Sequence, residues 1–97
     1  MLLKMQMDVE AGNRAIKDGS FGQMLERVMQ QIKPEAAYFT AIDGRRTGLI
    51  FFDLQEPSDI PPIAEPFFMT VGASIEFLPV MTLEDVQKGL EEAAKSF

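Results

Sequence analysis

The sequence predicts an α+β domain in which strands and helices follow one another as βαββαβ, with one further helix at the end. Three observations carry that prediction. Leu3, Met5, Met7 and Val9 alternate with Lys4, Gln6 and Asp8, the period of a strand with one dry and one wet face. Phe21, Leu25, Val28 and Ile32 recur at i, i+4, i+7 and i+11, a single apolar stripe on a helix. Two β-rich runs flank Asp43-Gly44, a pair that tolerates positive φ and marks a hairpin.

The first strand runs from Leu3 to Val9, and Glu10-Ala11-Gly12-Asn13 opens a helical region. Gly19 and Gly22 each weaken a helix by about 1 kcal/mol relative to alanine, which predicts a break near Asp18-Gly19-Ser20, with Ser20 available to cap the second part. Pro34 closes that helix. Tyr38–Ile42 carries the aromatic and β-branched residues of a second strand. Arg45, Arg46 and Thr47 read as a solvated turn longer than two residues, and Leu49–Leu54 as the third strand. Ser58 or Asp59 is placed to cap the next helix, with Pro61 tolerated in its first turn. Ile60, Ile63 or Ala64, Phe67 and Val71 then have helical spacing, Pro66 is expected to kink or shorten the helix, and Gly72 is a natural stop. Ser74–Val80 forms the fourth strand, with Ile75 and Phe77 dry and Glu76 polar. Thr82-Leu83-Glu84-Asp85 has the form of a capping box with Asp in place of Glu or Gln. Leu83, Val86, Leu90 and Phe97 continue one face of the last helix. No repeat, linker or low-complexity stretch interrupts residues 1–97, which read as a single domain.

The third strand, LIFFDL, is apolar at five of its six positions. Side chains alternate faces along a strand, so this one is apolar on both. It belongs in the middle of a sheet with a layer above and a layer below. The chain's own helices supply one layer. A chain of 97 residues has little left for the other, which predicts a homodimer.

Composition narrows the chemistry. The sequence has no cysteine, histidine or tryptophan. Disulfides and thiolate chemistry are excluded, and so are the side chain that usually moves protons near neutral pH and the commonest transition-metal ligand. A net charge of −6 argues against nucleic acid and anionic membrane surfaces as partners. No apolar run approaches the roughly 18 residues of a membrane span. The first residues read as a strand rather than a signal peptide, and the lack of cysteine fits a cytoplasmic protein.

The βαββαβ order is the split-βαβ, ferredoxin-like arrangement, a four-stranded antiparallel sheet with both helices on one face. With EAGNRAIKDG, KPEAAYFTAIDGRRTG and ASIEFLPVMTLED, and with the third strand apolar on both sides, the chain resembles a small bacterial branch of the dimeric α/β-barrel superfamily. That resemblance covers nearly the whole chain. It implies two ferredoxin-like subunits packed sheet to sheet around ligand-sized cavities. It includes muconolactone isomerases, antibiotic-biosynthesis-type monooxygenases, EthD-like proteins and stress-responsive barrel proteins. The haem-binding relatives use a proximal histidine, which this chain lacks. The cofactor-free oxygenase relatives use asparagine, tryptophan and histidine, and here only Asn13 is present. No cofactor is therefore expected.

The candidate site residues follow from the faces. The sheet face away from the helices should carry Gln6, Asp8, Tyr38, Thr40 and Glu76. With Phe52, Leu54 and Leu78 they would line an apolar pocket with a few polar groups. Glu76 is the candidate acid–base group, its carboxyl raised by burial, and Tyr38 the candidate donor to an oxyanion. Asn13, Gln6, Thr40 and Phe52 are the candidate ligand-binding residues. The expected ligand is a small, partly apolar organic molecule held between sheet and helices. Cofactor-free isomerase or oxygenase chemistry on an aromatic, quinone-like or lactone compound would follow. Against this stands a plainer reading, in which these are ordinary polar residues of a sheet face, Asn13 caps a helix, and the dimer is a non-catalytic scaffold. Arg45 and Arg46 could clamp an anion but read more simply as solvated. Gly19-Ser20-Phe21-Gly22 matches neither the phosphate-loop nor the nucleophile-elbow pattern. Asp53, Glu56 and Asp59 do not follow the calcium-loop pattern, and no metal site is expected.

Overall fold

In the computed structural model, which describes residues 1–97, the elements run β1 (Leu2–Gln6), α1 (Val9–Lys17), α2 (Ser20–Ile32), β2 (Ala36–Ile42), β3 (Arg45–Phe51), a 3-10 turn (Pro57–Asp59), α3 (Ile60–Val71), β4 (Ser74–Leu78) and α4 (Leu83–Ala94). The four strands form one antiparallel sheet in the order β2-β3-β1-β4. This order is compatible with a ferredoxin-like arrangement. α1, α2 and α3 cover one face, where Leu3, Met5, Met7, Ile50 and Phe52 meet Ala15, Met24, Val28, Ile63, Phe67 and Val71 in a single core. The rings of Phe52 and Phe77 close one end of it edge to face, 6.4 Å apart.

Local chemistry sets the boundaries. β1 ends before Asp8, whose carboxylate accepts from the Ala11 backbone N–H at 2.9 Å and caps α1. Asp8 is therefore not a strand residue, and Val9 begins the helix. The break at Gly19 is present, with φ 81°, but Ser20 does not cap α2. Asp18 does the local work instead, accepting from the Ser20 N–H at 2.8 Å. The Ser20 hydroxyl and N–H together hold the Asp18 carboxyl below its ordinary value of 3.8. Asn13 sits inside α1 rather than capping it.

The hairpin turn is tighter than expected. Ile42 pairs directly with Arg45, and Asp43 and Gly44 both have positive φ, 56° and 74°. This is the two-residue turn whose twist matches the flanking strands. Arg45, Arg46 and Thr47 therefore belong to β3, and the strand begins four residues earlier than its apolar run. α3 continues through Pro66 without a break and ends at Gly72, φ 55°. At α4, Thr82 and Asp85 exchange hydrogen bonds at 3.1 Å in a complete capping box.

α4 is the exception to the packing. None of its residues is buried, and it makes no extended contact with the sheet or the other helices. The radius of gyration is 16.1 Å, against about 13 Å for a compact chain of this length. A helix of about 18 Å standing off the body accounts for the excess. A 12-residue helix that buries nothing is marginal in water, capping box included.

Candidate functional site

The register fixes which side chains share the open face. Across it run three rows: Ala36–Phe51–Leu2–Leu78, Tyr38–Leu49–Lys4–Glu76, and Thr40–Thr47–Gln6–Ser74. Tyr38 and Glu76 thus share a row but stand on opposite edge strands. Three strand spacings separate them, about 14 Å. One small substrate cannot touch both within a single chain. Lys4, not Tyr38, is the cross-strand neighbour of Glu76.

The far end of this face is a closed polar lattice. Gln6 Nε2 donates to the Ile42 carbonyl and to Thr47 Oγ1, both at 3.3 Å. Arg45 lies across the strand ends, Nε donating to the Met7 carbonyl at 2.9 Å and Nη2 to the Gln6 carbonyl at 3.2 Å and Ser74 Oγ at 3.5 Å. Thr47 is buried beneath them. Arg45 is therefore a structural tie, not a solvated turn residue, and the Gln6 amide is already engaged. Phe52 is not on this face at all. The even-numbered residues of β3 point to the helices, and Phe52 continues that side into the core. The near end of the face is apolar, with Leu2, Leu49 and Phe51 half-covered and Leu78 exposed. Where the chain leaves it for α4, Tyr38, Phe51, Val80 and Met81 border a hollow of about 530 Å³.

The second concavity is on the helix side. β2 is an edge strand that extends past the helices, so Phe39 remains 52% exposed although it points to their side. Between it and the α1–α2 corner lies an open groove of about 400 Å³ walled by Met7, Ile16, Phe21, Leu25 and Phe39. Thr40 and Thr47 also border it, and one charge reaches it, Arg46. Arg46 Nη2 donates to Asn13 Oδ1 at 2.9 Å, joining β3 to α1. Two glycines shape this site. A Cβ at Gly12 would stand 2.9 Å from Arg46 Nη1, and a Cβ at Gly48 would stand 3.1 Å from Phe39 Cε1. The guanidinium and the ring each occupy the space a missing side chain leaves.

Sequence reasoning paired Asn13 with no partner and put Arg46 in a solvated turn; Arg46 is indeed exposed but belongs to β3. The signal for both was the two-residue turn, because Asp43-Gly44 as a tight hairpin places Arg46 on the helix side of β3. Asp53, Glu56 and Asp59 do not gather into a cluster that could hold a cation. Asp53 accepts from Gln55 Nε2 at 2.6 Å, and Asp59 accepts from the Glu56 N–H at 3.3 Å. No helix is long and apolar enough to cross a membrane. No family model, no curated protein and no solved structure matches the chain.

Proposed function

We propose that the chain binds a small, largely apolar organic molecule in the groove between α1, α2 and the sheet. The observation that carries this reading is the groove's composition: five apolar walls and one cation around about 400 Å³, within the size and chemistry of small-ligand sites. None of the lining side chains is an acid or base that titrates near neutral pH. The groove thus favours binding over catalysis. A cofactor-free isomerase or oxygenase step using Tyr38 and Glu76 would have to take place on the opposite face and between two subunits, because one subunit holds them about 14 Å apart.

A homodimer is the second part of this proposal, and a different observation supports it. The open face presents Leu2, Leu49, Phe51, Leu78 and a Tyr38 that is 63% exposed, while α4 leaves Leu83 and Leu90 exposed and Val86 only partly covered. Two copies facing each other would pack their sheets about 10 Å apart, and each α4 would lie on its neighbour. That is the arrangement of a dimeric α/β barrel.

A thermal-shift screen of phenols, quinones, lactones and fatty acids tests the binding reading. A ligand present at 100 times its dissociation constant stabilises the folded state by about 2.7 kcal/mol. The expected hit raises the melting temperature of the wild type and not that of Phe39→Asp, which puts a carboxylate in the groove wall. A hit that Phe39→Asp retains at full strength, or a ligand whose NMR footprint falls outside the groove, removes the reading.

A further inference from the structure

Arg46 is the only charged group at the groove, and no carboxylate neutralises it. The one ion pair of the chain is Lys95–Glu92, on α4. The guanidinium is held instead by a neutral amide oxygen, that of Asn13, and it rests on the backbone of Gly12 where a Cβ would stand 2.9 Å away. One N–H of Nη2 is thereby used. The others have no partner within the protein, and the side chain is open to solvent. A guanidinium is always protonated and presents its donors as a planar fork that matches a carboxylate. The chain as a whole is acidic, with net charge −6, so what favours an anion here is local: an arginine held by a neutral partner beside an apolar groove.

We infer that the groove takes an apolar molecule ending in a carboxylate, its chain against Phe21, Leu25, Ile16 and Phe39 and its anionic end on Arg46. The inference rests on the groove-binding reading above and names the ligand class for that site. Asn13 acts as a positioning residue: it holds the guanidinium at the groove mouth without cancelling its charge. An aspartate there would cancel it. The apolar walls supply affinity, because an exposed arginine–carboxylate pair alone is worth little. The arginine supplies selection between an acid and a neutral molecule of the same shape.

The test uses the full chain, decanoate and decanol as probes, and a ¹H–¹⁵N NMR titration. Decanoate is expected to shift the amides of Phe21, Phe39 and Arg46 and to bind about two- to fivefold more tightly than decanol, the scale of one exposed ion pair. Arg46→Gln is expected to bring decanoate down to the level of decanol and to leave decanol unchanged. Asn13→Asp is expected to do the same, while Asn13→Gln keeps the preference for the acid. The fold tolerates both positions, since neither side chain is in the core. Equal binding of the two probes, or decanoate binding that survives Arg46→Gln, overturns the carboxylate assignment and leaves the groove standing. Failure of both probes to bind at the groove overturns the ligand class and the groove reading together.

Discussion

The ring of Phe39 lies against the backbone of Gly48 across the β2–β3 ladder, close enough that a Cβ at 48 would stand 3.1 Å from Phe39 Cε1 and 3.2 Å from the Met5 methyl. Gly48 is a buried glycine inside a strand, where glycine ordinarily costs stability. Here its lack of a side chain lets the ring settle. Met5 is fully buried and cannot give way, whereas Phe39 is half-exposed and can. Gly48→Ala is therefore expected to tilt Phe39 outward and to destabilise the fold by about 1 kcal/mol, the low end of overpacking costs. For a chain this short that lowers the melting temperature by about 4–8 °C. An alanine variant as stable as wild type or more so would show that the strand gains more from a Cβ than the packing loses.

Pro66 yields a prediction of the opposite sign. α3 runs unbroken from Ile60 to Val71 with Pro66 inside it, so one intrahelical hydrogen bond, to the Pro62 carbonyl, is missing from a helix that buries Ile63, Ala64, Phe67 and Val71. Alanine restores the N–H and removes the ring's clash with the preceding turn, at the expense of a more flexible unfolded chain. Pro66→Ala should stabilise by about 1 kcal/mol in urea denaturation. Destabilisation would mean that the half-buried ring contributes more through packing than it costs the helix.

Most of the fold was legible in the sequence, and the reasons for the remainder are local. The alternation in β1, the stripe on α2 and the stops at Gly19 and Gly72 are backbone and burial effects that a sequence displays directly. The start of β3 was hidden because Arg45, Arg46 and Thr47 are polar, and polar residues beside Asp-Gly read as turn. They are strand because the two-residue turn demands it and because Arg45 finds backbone carbonyls at the end of β1. Pro66 misled in the other direction. The apolar residues of α3 are held so firmly against the sheet that the helix absorbs a residue that propensity alone would use to end it. The groove was least legible. It depends on Arg46 and Asn13, 33 residues apart in sequence, meeting over Gly12; the tight Asp43-Gly44 turn signals which side of β3 Arg46 takes, but not that it meets Asn13. The placement of Tyr38 and Glu76 on one face followed from alternation. Their separation across the full width of the sheet followed only from the strand order.

The capping box of α4 makes a prediction about pH. The Thr82 backbone N–H and hydroxyl hold the Asp85 carboxyl below its ordinary value of 3.8, with Lys88 adding a smaller pull in the same direction. A carboxyl lowered on folding favours the folded state fully above 3.8, and its contribution disappears as the pH falls through the lower folded value. Asp18, lowered by Ser20, behaves the same way at the α1–α2 corner. An NMR titration of the side-chain carboxyls should therefore find both below 3.8. Thr82→Ala should return Asp85 upward and leave Asp18 unmoved, and the amides of α4 should lose helical shifts in that acid range before the core melts. An Asp85 that titrates at its ordinary value in wild type would mean the box is open in solution.

The unpartnered α4 gives the last prediction. Its capping box sets where the helix begins, but 12 residues with none fully buried are marginal as a helix. Leu83 and Leu90 are exposed and Val86 is only partly covered, so on the dimer proposed above this stripe is expected to seek apolar surface on a second copy. The open sheet face of that copy would offer it, with Leu2, Leu49 and Phe51 half-covered and Leu78 exposed at its near end. Light scattering on the intact chain should give twice the chain mass. Leu90→Glu should shift the population toward one chain mass, because a buried carboxylate without a partner is strongly unfavourable. Circular dichroism should show helix lost in proportion to monomer formed, since the detached α4 would fray. The core amides should keep their dispersion, because the core of Leu3, Ile50 and Phe67 lies on the other side of the sheet. A single chain mass for wild type, with α4 helical by NMR, would sink the dimer: the helix would then be stable for a reason that neither its composition nor its contacts supply.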